Sequence, residues 1–339
     1  MNKKKNNIKK TKLCIKEKYS NKFSVAPMLH YTDQYCRYFY RQLTKKTLLY
    51  TEMVTTHEML YRNTHDHIKY IPYHQNPIAI QIAGNNIKDL KKCAEIAYIM
   101  GFNEINLNIG CPSKKAQLGG FGAILMQYPQ LIFNIIQAIF NAVPIPISIK
   151  IRLGTQDQNN YQFLYNFIRT ISKREYCKRF IIHARIANLK ISNTKKNRSI
   201  PPLNYAYVYK IKKDFPNLKI ILNGGIKNLH EAKKHLKIID GVMLGRAIYK
   251  NPLQLRHVDK KIFSQNTEFN KKIFLYKMKK YINVNILRKI PIIYTLRHMV
   301  NIFYGNKESK KLKKYFLDHI KNNKNTKILF KKLSEKINF

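Results

Sequence analysis

Reactive or polar side chains follow short apolar runs at several points along the chain. Cys111 lies in a Gly-Cys-Pro turn directly after one such run, Lys150 ends a second run and His183 ends a third. A thiol at the mouth of a site can act as an acid or as a nucleophile. A lone cysteine can equally be inert, so these residues alone leave both interpretations of Cys111 open.

Two glycine-containing turns predict a phosphate site. Gly224-Gly225 and Gly245-Arg246 each follow an apolar run and precede a stretch of helical spacing. Backbone N–H groups at such a helix start can bind an anion, and an arginine adds two parallel hydrogen bonds. The alternative is that these glycines only permit tight turns.

One phosphate beside an amide, an ammonium group and an imidazole fits the cofactor flavin mononucleotide (FMN). Gln81, Lys150 and His183, each at or near the end of an apolar run, would supply these groups. Lys150 could stabilise the negative charge of a reduced flavin. A Schiff-base lysine, as in barrel aldolases, is the alternative role for Lys150.

Eight apolar or β-branched runs alternate with stretches of helical spacing. The runs are Ser24–Met28, Leu48–Met53, Ile78–Ile82, Glu104–Asn108, Ile145–Ile151, Phe180–His183, Lys219–Asn223 and Gly241–Leu244. Eight strands in about 235 residues predict a (β/α)8 TIM barrel, in which chemistry collects at the carboxyl ends of the strands. A doubly wound sheet is less favoured because no Gly-x-Gly-x-x-Gly motif follows the first run.

The two ends of the chain differ from its middle. Residues 1–22 carry nine lysines and one glutamate, and residues 259–339 carry 21 basic and five acidic side chains. We therefore expect a basic disordered arm at 1–22, a barrel at 23–258 and a small C-terminal helical bundle at 259–339. The formal net charge of +46 is typical of a polyanion-binding protein, with lysine-rich codon usage as the alternative source.

Composition and motif spacing exclude several classes of protein. Hydrophobic residues make up 45% of the chain, which argues against a disordered polycation. The five cysteines form no Cys-x-x-Cys pair, which argues against a zinc ribbon or a disulfide scaffold and favours a reducing, cytoplasmic location. No His, Cys or acidic spacing predicts a metal site, and no apolar run is long enough for a membrane span.

Six ordered motifs resemble those of the tRNA-dihydrouridine synthases. They are Val25-Ala-Pro-Met28, Leu49-Tyr-Thr-Glu-Met-Val54, Glu104-Ile-Asn-Leu-Asn-Ile-Gly-Cys-Pro-Ser113, Phe180-Ile-Ile-His-Ala-Arg185, Asn223-Gly-Gly-Ile226 and Gly241-Val-Met-Leu-Gly-Arg246. The Gly-Cys-Pro-Ser motif is the specific part. The segment Lys195–Leu203, together with Arg297-His-Met299, is similar to the bacterial A-type branch. The resemblance runs from about Ser24 to Tyr304.

The resemblance implies reduction of the uracil C5=C6 bond at positions 20 and 20a in the D-loop of tRNA, with FMN as cofactor and NADPH as reductant. Hydride would pass from reduced FMN to C6, and Cys111 would give a proton to C5. The implied flavin contacts are Pro27, Met28, Gln81, Lys150, His183, Asn223, Gly224, Gly225, Gly245 and Arg246. The implied tRNA contacts are Asn108, Lys195, Arg198 and Arg297. We expect a monomer without a protein partner.

Two other functions stay open at this point. An FMN barrel dehydrogenase acting on a free pyrimidine would share the barrel but would not need a basic helical tail. A tRNA-binding protein without catalysis would need the tail but not the chemical groups. The presence of Cys111, Lys150 and Arg246 argues against the second of these.

Overall fold

Eight parallel strands close into a barrel in chain order. The computed structural model describes residues 19–61, 75–191, 193, 196–266, 268–321 and 326–336. The strands are β1 (Phe23–Val25), β2 (Leu48–Thr55), β3 (Ile78–Ala83), β4 (Glu104–Ile109), β5 (Ile147–Ile151), β6 (Arg179–His183), β7 (Lys219–Asn223) and β8 (Gly241–Leu244). Since β1 pairs with both β2 and β8, the sheet has no open edge. The predicted TIM barrel is confirmed.

Helices cover the outside of the barrel. They are α1 (Gln34–Leu43), α2 (Thr56–Tyr61), α3 (Ile87–Ile99), α4 (Lys114–Leu118), α5 (Pro129–Ala142), α6 (Tyr161–Ser172), α7 (Tyr205–Asp214), α8 (Leu229–His235) and α9 (Arg246–Lys250). Asparagine caps begin several of them, as where Asn86 accepts from the backbone of Asp89 and Asn160 from that of Phe163. Such caps satisfy N–H groups that a helix leaves without a partner.

Alternate residues of each strand face opposite sides of the barrel wall. On β4, Ile105, Leu107 and Ile109 belong to the large apolar core beneath the helices. Inside the barrel, a separate apolar cluster is formed by Ala26, Leu48, Tyr50, Ala79, Ile181, Ile221 and Met243. The remaining inward positions of β3, β4 and β5 are polar, and they carry part of the candidate site.

A helical C-terminal part follows the barrel, as predicted. Its helices are α10 (Val258–Lys261), α11 (Lys271–Leu287), α12 (Ile293–Met299), α13 (Ser309–Lys321) and α14 (Thr326–Lys336). The described residues also include short 3₁₀ helices at Gly122–Gln127, Lys196–Arg198, Pro252–His257 and Val300–Phe303. Within the described ranges, no helix is long and apolar enough to cross a membrane.

The C-terminal helices pack against α1. Tyr38 of α1 stacks on Tyr281 of α11, with ring centroids 3.6 Å apart. The carboxylate of Asp259 accepts from the Thr44 hydroxyl at 2.6 Å and from the backbone of Lys45 at 2.6 Å. These contacts join the two parts of the chain, and the division between residues 258 and 259 stays a prediction.

Residues 19–22 are the described part of the predicted N-terminal arm. Tyr19 lies at the amino-terminal end of the barrel and donates a hydrogen bond to Oε2 of Glu104 at 2.7 Å. The backbone carbonyl of Lys22 accepts from the N–H of Val242 in β8 at 3.0 Å. This end of the arm is therefore part of the fold, and residues 1–18, including Cys14, lie outside the described residues.

Candidate functional site

The turn after β4 presents the Cys111 thiol at the barrel mouth. Asn108 fixes this turn because its Oδ1 accepts from the backbone N–H of Gly110 at 3.1 Å and of Cys111 at 2.9 Å. The thiol is half-buried, and Sγ lies 3.4 Å from Oγ of Ser113. The same hydroxyl accepts from the N–H of Ala116 and so caps α4. The thiol therefore has a defined place between strand and helix.

Gly122 lets the following loop fold back onto this turn. Its φ is +79°, and a Cβ there would lie 2.5 Å from the carbonyl oxygen of Cys111. That carbonyl accepts from the N–H of Ala123 at 2.9 Å. A side chain at position 122 would displace the turn, so the glycine protects the position of the thiol.

Among the described cysteines, Cys111 is the accessible one. Cys36, Cys93 and Cys177 are buried. Burial raises the pKa of Cys93 and of Cys177 to about 12 and that of Cys36 well above its ordinary value. These three thiols are suited to packing, and Cys111 is left as the candidate proton donor among the described cysteines.

Positive groups converge on the same mouth. Burial is the main cause that lowers the pKa of Lys150 to about 7, and the neighbouring charge of Arg152 lowers it further. Burial and the charges of Arg152 and Lys150 also lower the pKa of His183 well below its ordinary value, so its imidazole is neutral at pH 7. In the described part of the chain, no carboxylate is among the charges that act on Lys150 or Arg152. Such a site favours an anionic ligand.

Two arginines offer hydrogen-bond donors to such a ligand. The Nε atoms of Arg185 and Arg198 are buried without a partner among the described residues. Arg246, the first residue of α9, donates to the carbonyl of Arg198 at 3.1 Å and keeps other N–H groups for an anion. Guanidinium groups that have N–H donors left over are suited to bind the phosphate of FMN or of a nucleic acid.

The turn after β7 makes a close approach that needs glycine. Gly224 has a φ of +106°, and a Cβ there would lie 2.5 Å from Cδ2 of His183. At Gly225 a Cβ would lie 2.4 Å from the hydroxyl oxygen of Tyr205, which donates to the carbonyl of Gly224 at 2.8 Å. Asn223 ties β7 to β8 through its amide, which donates to the carbonyl of Met243 at 2.8 Å. Glycine is thus required at both positions by the close packing of this turn against His183 and Tyr205.

The loop after β1 borders the same space. Pro27 and Met28 are half-buried, and a Cβ added to Gly245 would lie 3.3 Å from Sδ of Met28. The backbone N–H of Met28 donates to Oγ1 of Thr32 at 3.0 Å. Met28 therefore lies beside the turn after β8, where it can pack against a flat ring.

The predicted tRNA contacts are not all at the mouth. Arg297 of α12 donates to the Asp33 carboxylate, and 40% of its side chain is exposed. His298 lies 3.0 Å from the same oxygen, so Asp33 connects α12 to the loop after β1. Arg198 is at the mouth, and Lys195 lies outside the described residues.

Sequence reasoning missed Arg152, which lies two residues beyond Lys150. Its guanidinium donates to the carbonyls of Ile186 at 3.1 Å and Asn197 at 3.2 Å, and its Nε donates to that of Gly110 at 3.3 Å. It thereby joins the turns after β4, β5 and β6. The sequence does carry a signal for Arg152, because it is a second basic residue directly after the strand β5 that contains Lys150.

Comparison with known proteins agrees with the barrel and its mouth. The family model described as dihydrouridine synthase (Dus) matches residues 24–338. The tRNA-dihydrouridine(20/20a) synthase of Vibrio cholerae is 45% identical over 288 residues, which cover 84% of this chain and 87% of that protein. The protein of the same name from Escherichia coli K12 is 43% identical over 304 residues, which cover 89% and 87%.

Among the described residues, the barrel mouth combines a placed thiol with cations that no carboxylate opposes, an arrangement suited to chemistry on an anionic ligand. The chain belongs to the dihydrouridine synthase family. The family predicted from the motifs is confirmed together with its A-type branch, and this family is flavin-dependent.

Proposed function

We propose that this chain reduces the C5=C6 bond of uridines 20 and 20a in the D-loop of tRNA, with FMN as cofactor and NADPH as reductant. The observation that carries the proposal is the meeting of Cys111 with the cations Lys150, Arg152 and Arg198 at one barrel mouth. The names of the relatives from Vibrio cholerae and Escherichia coli support the same substrate.

The residues at the mouth fit FMN. Gly224, Gly225 and Arg246 would hold its phosphate, because backbone N–H groups of a glycine turn and a guanidinium at a helix start can all donate to an anion. Lys150 and Gln81 would bind the polar edge of the ring system. The chemistry that bound FMN would supply at this site, after reduction by NADPH, is hydride for C6 of the uracil.

Cys111 would hold the proton that C5 must receive. A thiol is mostly protonated at neutral pH, whereas a carboxylic acid there would be ionised and would repel the negative charge that develops on the base. Asn108 and Ser113 keep the thiol in place through the turn and the helix start on either side of it. To reach the thiol at the barrel mouth, the target base has to leave its stack in the tRNA, as in other enzymes that act on nucleobases.

The C-terminal helices would supply the contacts to the tRNA backbone. We propose the division made from the sequence, with a catalytic barrel at 23–258 and a tRNA-binding helical part at 259–339. The high positive charge of the second part supports it. The cytoplasmic location and the monomeric state stay predictions.

An absorption spectrum under anaerobic conditions tests the proposal. Flavin bands should bleach with NADPH and recover when tRNA transcripts with uridine at position 20 or 20a are added. Transcripts with cytidine at both positions are the matched control and should not restore the bands. A chain that cannot be reconstituted with FMN would contradict the cofactor, and recovery with free uracil alone would favour the free-pyrimidine dehydrogenase.

A further inference from the structure

A chain of hydrogen bonds crosses the barrel interior from its closed end to its mouth. Glu104, Asn106 and Asn108 occupy alternate positions of β4 and face inward. Glu104, at the amino-terminal end of the strand, is fully buried, as is Asn106 in its middle. Asn108 lies at the mouth and fixes the Cys111 turn.

The first half of this hydrogen-bond chain begins at the carboxylate. The hydroxyl of Ser148 on β5 donates to Oε1 of Glu104. Nδ2 of Asn106 donates to Oγ of Ser148 at 2.7 Å, and Nε2 of Gln81 on β3 donates to Oδ1 of Asn106 at 2.7 Å. Gln81, Asn106 and Ser148 are also backbone partners in the sheet, so the three side chains form one layer.

The second half reaches the catalytic turn. Nδ2 of Asn108 donates to Oε1 of Gln81 at 2.9 Å. The backbone N–H of Cys111 donates to Oδ1 of Asn108 at 2.9 Å. Five consecutive hydrogen bonds thus connect the carboxylate of Glu104 to the residue that bears the thiol.

The Glu104 carboxylate at one end, and the backbone N–H groups of Gly110 and Cys111 at the other, impose the same direction on all these hydrogen bonds. An ionised carboxylate only accepts, so the Ser148 hydroxyl donates its one proton to Glu104 and its oxygen is left to accept. The amide of Asn106 must then present its NH₂ to Ser148 and its carbonyl to Gln81. In the same way, Gln81 must present its NH₂ to Asn106 and its carbonyl oxygen to Asn108. Asn108 in turn presents its NH₂ to Gln81 and its carbonyl oxygen to the backbone N–H groups of the Cys111 turn. Reversing any one amide would bring two donors or two acceptors together in a buried site. Such unsatisfied buried groups raise the free energy of the folded state.

We propose that Glu104, Ser148 and Asn106 are positioning residues that set the orientation of the Gln81 amide and the conformation of the Cys111 turn. The inference rests on the proposed function, in which Gln81 contacts the flavin and Cys111 holds the proton. These residues touch neither ligand. They act through buried hydrogen bonds that run from the Glu104 carboxylate to the Gln81 amide and support the orientation that the backbone of the Cys111 turn also favours.

Ser148→Ala tests the proposal, because it removes the link between the carboxylate and the amides. Tyr50→Phe is the matched control, since the Tyr50 hydroxyl donates to the same Oε1 of Glu104 at 2.7 Å but is not part of the chain of amides. We expect Ser148→Ala to shift or broaden the side-chain NH₂ signals of Asn106 and Gln81 in ¹⁵N NMR spectra of the flavin-free protein. We expect the Kd for FMN to rise about tenfold, the value of one oriented hydrogen bond. Tyr50→Phe should leave the signals in place and the Kd within about twofold.

Two results would overturn the proposal. One is unchanged amide signals and an unchanged Kd in Ser148→Ala, and the other is an equal change in both variants. If Ser148→Ala does not fold, Ser148→Cys, which weakens both hydrogen bonds at similar volume, should change the same signals in the same direction. A chain that binds no FMN, with or without the substitution, would contradict the proposed function, and the amide signals would still decide the orientation.

Discussion

Replacing Lys150 by methionine should stabilise the flavin-free protein at pH 6 and change its stability little at pH 10. Burial and the charge of Arg152 lower the pKa of Lys150 from 10.5 to about 7 in the folded chain. Each tenfold change in proton affinity corresponds to about 1.4 kcal/mol, so the protonated lysine destabilises the folded state by about 5 kcal/mol. Methionine keeps most of the side-chain volume without the charge.

The pH dependence follows from the direction of this change. Below pH 7 the lysine is protonated in both states, and the folded chain carries the full cost. As pH rises from 7 towards 10.5, the folded chain gives up the proton first and the wild type gains stability. The advantage of Lys150→Met should therefore fall from about 5 kcal/mol at pH 6 to about 1 kcal/mol at pH 10.

Urea unfolding at pH 6, 8 and 10 measures this difference. Lys92→Met is the matched control, because Lys92 is exposed on α3 and its replacement should have little effect at any pH. An advantage of Lys150→Met that is the same at all three pH values would refute the reasoning. So would a Lys150→Met variant that is less stable than the wild type at pH 6.

Three further substitutions test other parts of the site. Cys111→Ala should lower the rate at which reduced flavin is reoxidised by tRNA by about 10²–10⁴-fold while FMN stays bound, and an unchanged rate in stopped-flow absorbance would remove the thiol from the mechanism. Gly224→Ala should raise the Kd for FMN at least about tenfold in a fluorescence titration. The added Cβ would lie 2.5 Å from Cδ2 of His183, and a φ of +106° is strained for alanine. A wild-type Kd in this variant would show that the turn can move. Glu104→Gln should lower the free energy of unfolding by about 3–5 kcal/mol, since the buried Arg179 guanidinium would lose the negative charge of its ion-pair partner, and Arg179→Met in the same chain should recover part of the loss in urea titrations.

The outer shell of the barrel could be predicted closely from the sequence. The stretches of helical spacing at Pro129–Ala142 and Tyr161–Ser172 can be read directly from the sequence, and each forms a helix with these same bounds. Their apolar residues repeat with the helical period, and Pro129 and Asn160 mark the starts. The Gly-Cys-Pro turn was equally visible, since it follows a regular strand.

The polar interior could not be predicted because its partners are far apart in the sequence. Tyr19 lies in the segment for which the sequence predicts a disordered arm, yet its hydroxyl donates to a carboxylate 85 residues away. The contact of Arg297 with tRNA stays a prediction, and nothing near Arg297 in the sequence indicates its ion pair with Asp33, 264 residues away. Local periodicity reports which face of a strand is buried. It does not report which polar groups on that face will meet.

The ion pair between Glu104 and Arg179 has a consequence for synthesis on the ribosome. Glu104 begins β4, whereas Arg179 begins β6, so the carboxylate is made 75 residues before its guanidinium partner. A nascent chain that ends within β5 would have to bury this carboxylate without a counter-charge, which strongly disfavours a dry barrel interior. We expect the half-made barrel to keep water around Glu104 until residue 179 has left the exit tunnel. Barrel closure is thus expected to be a late step of co-translational folding, after most of the strands have been translated.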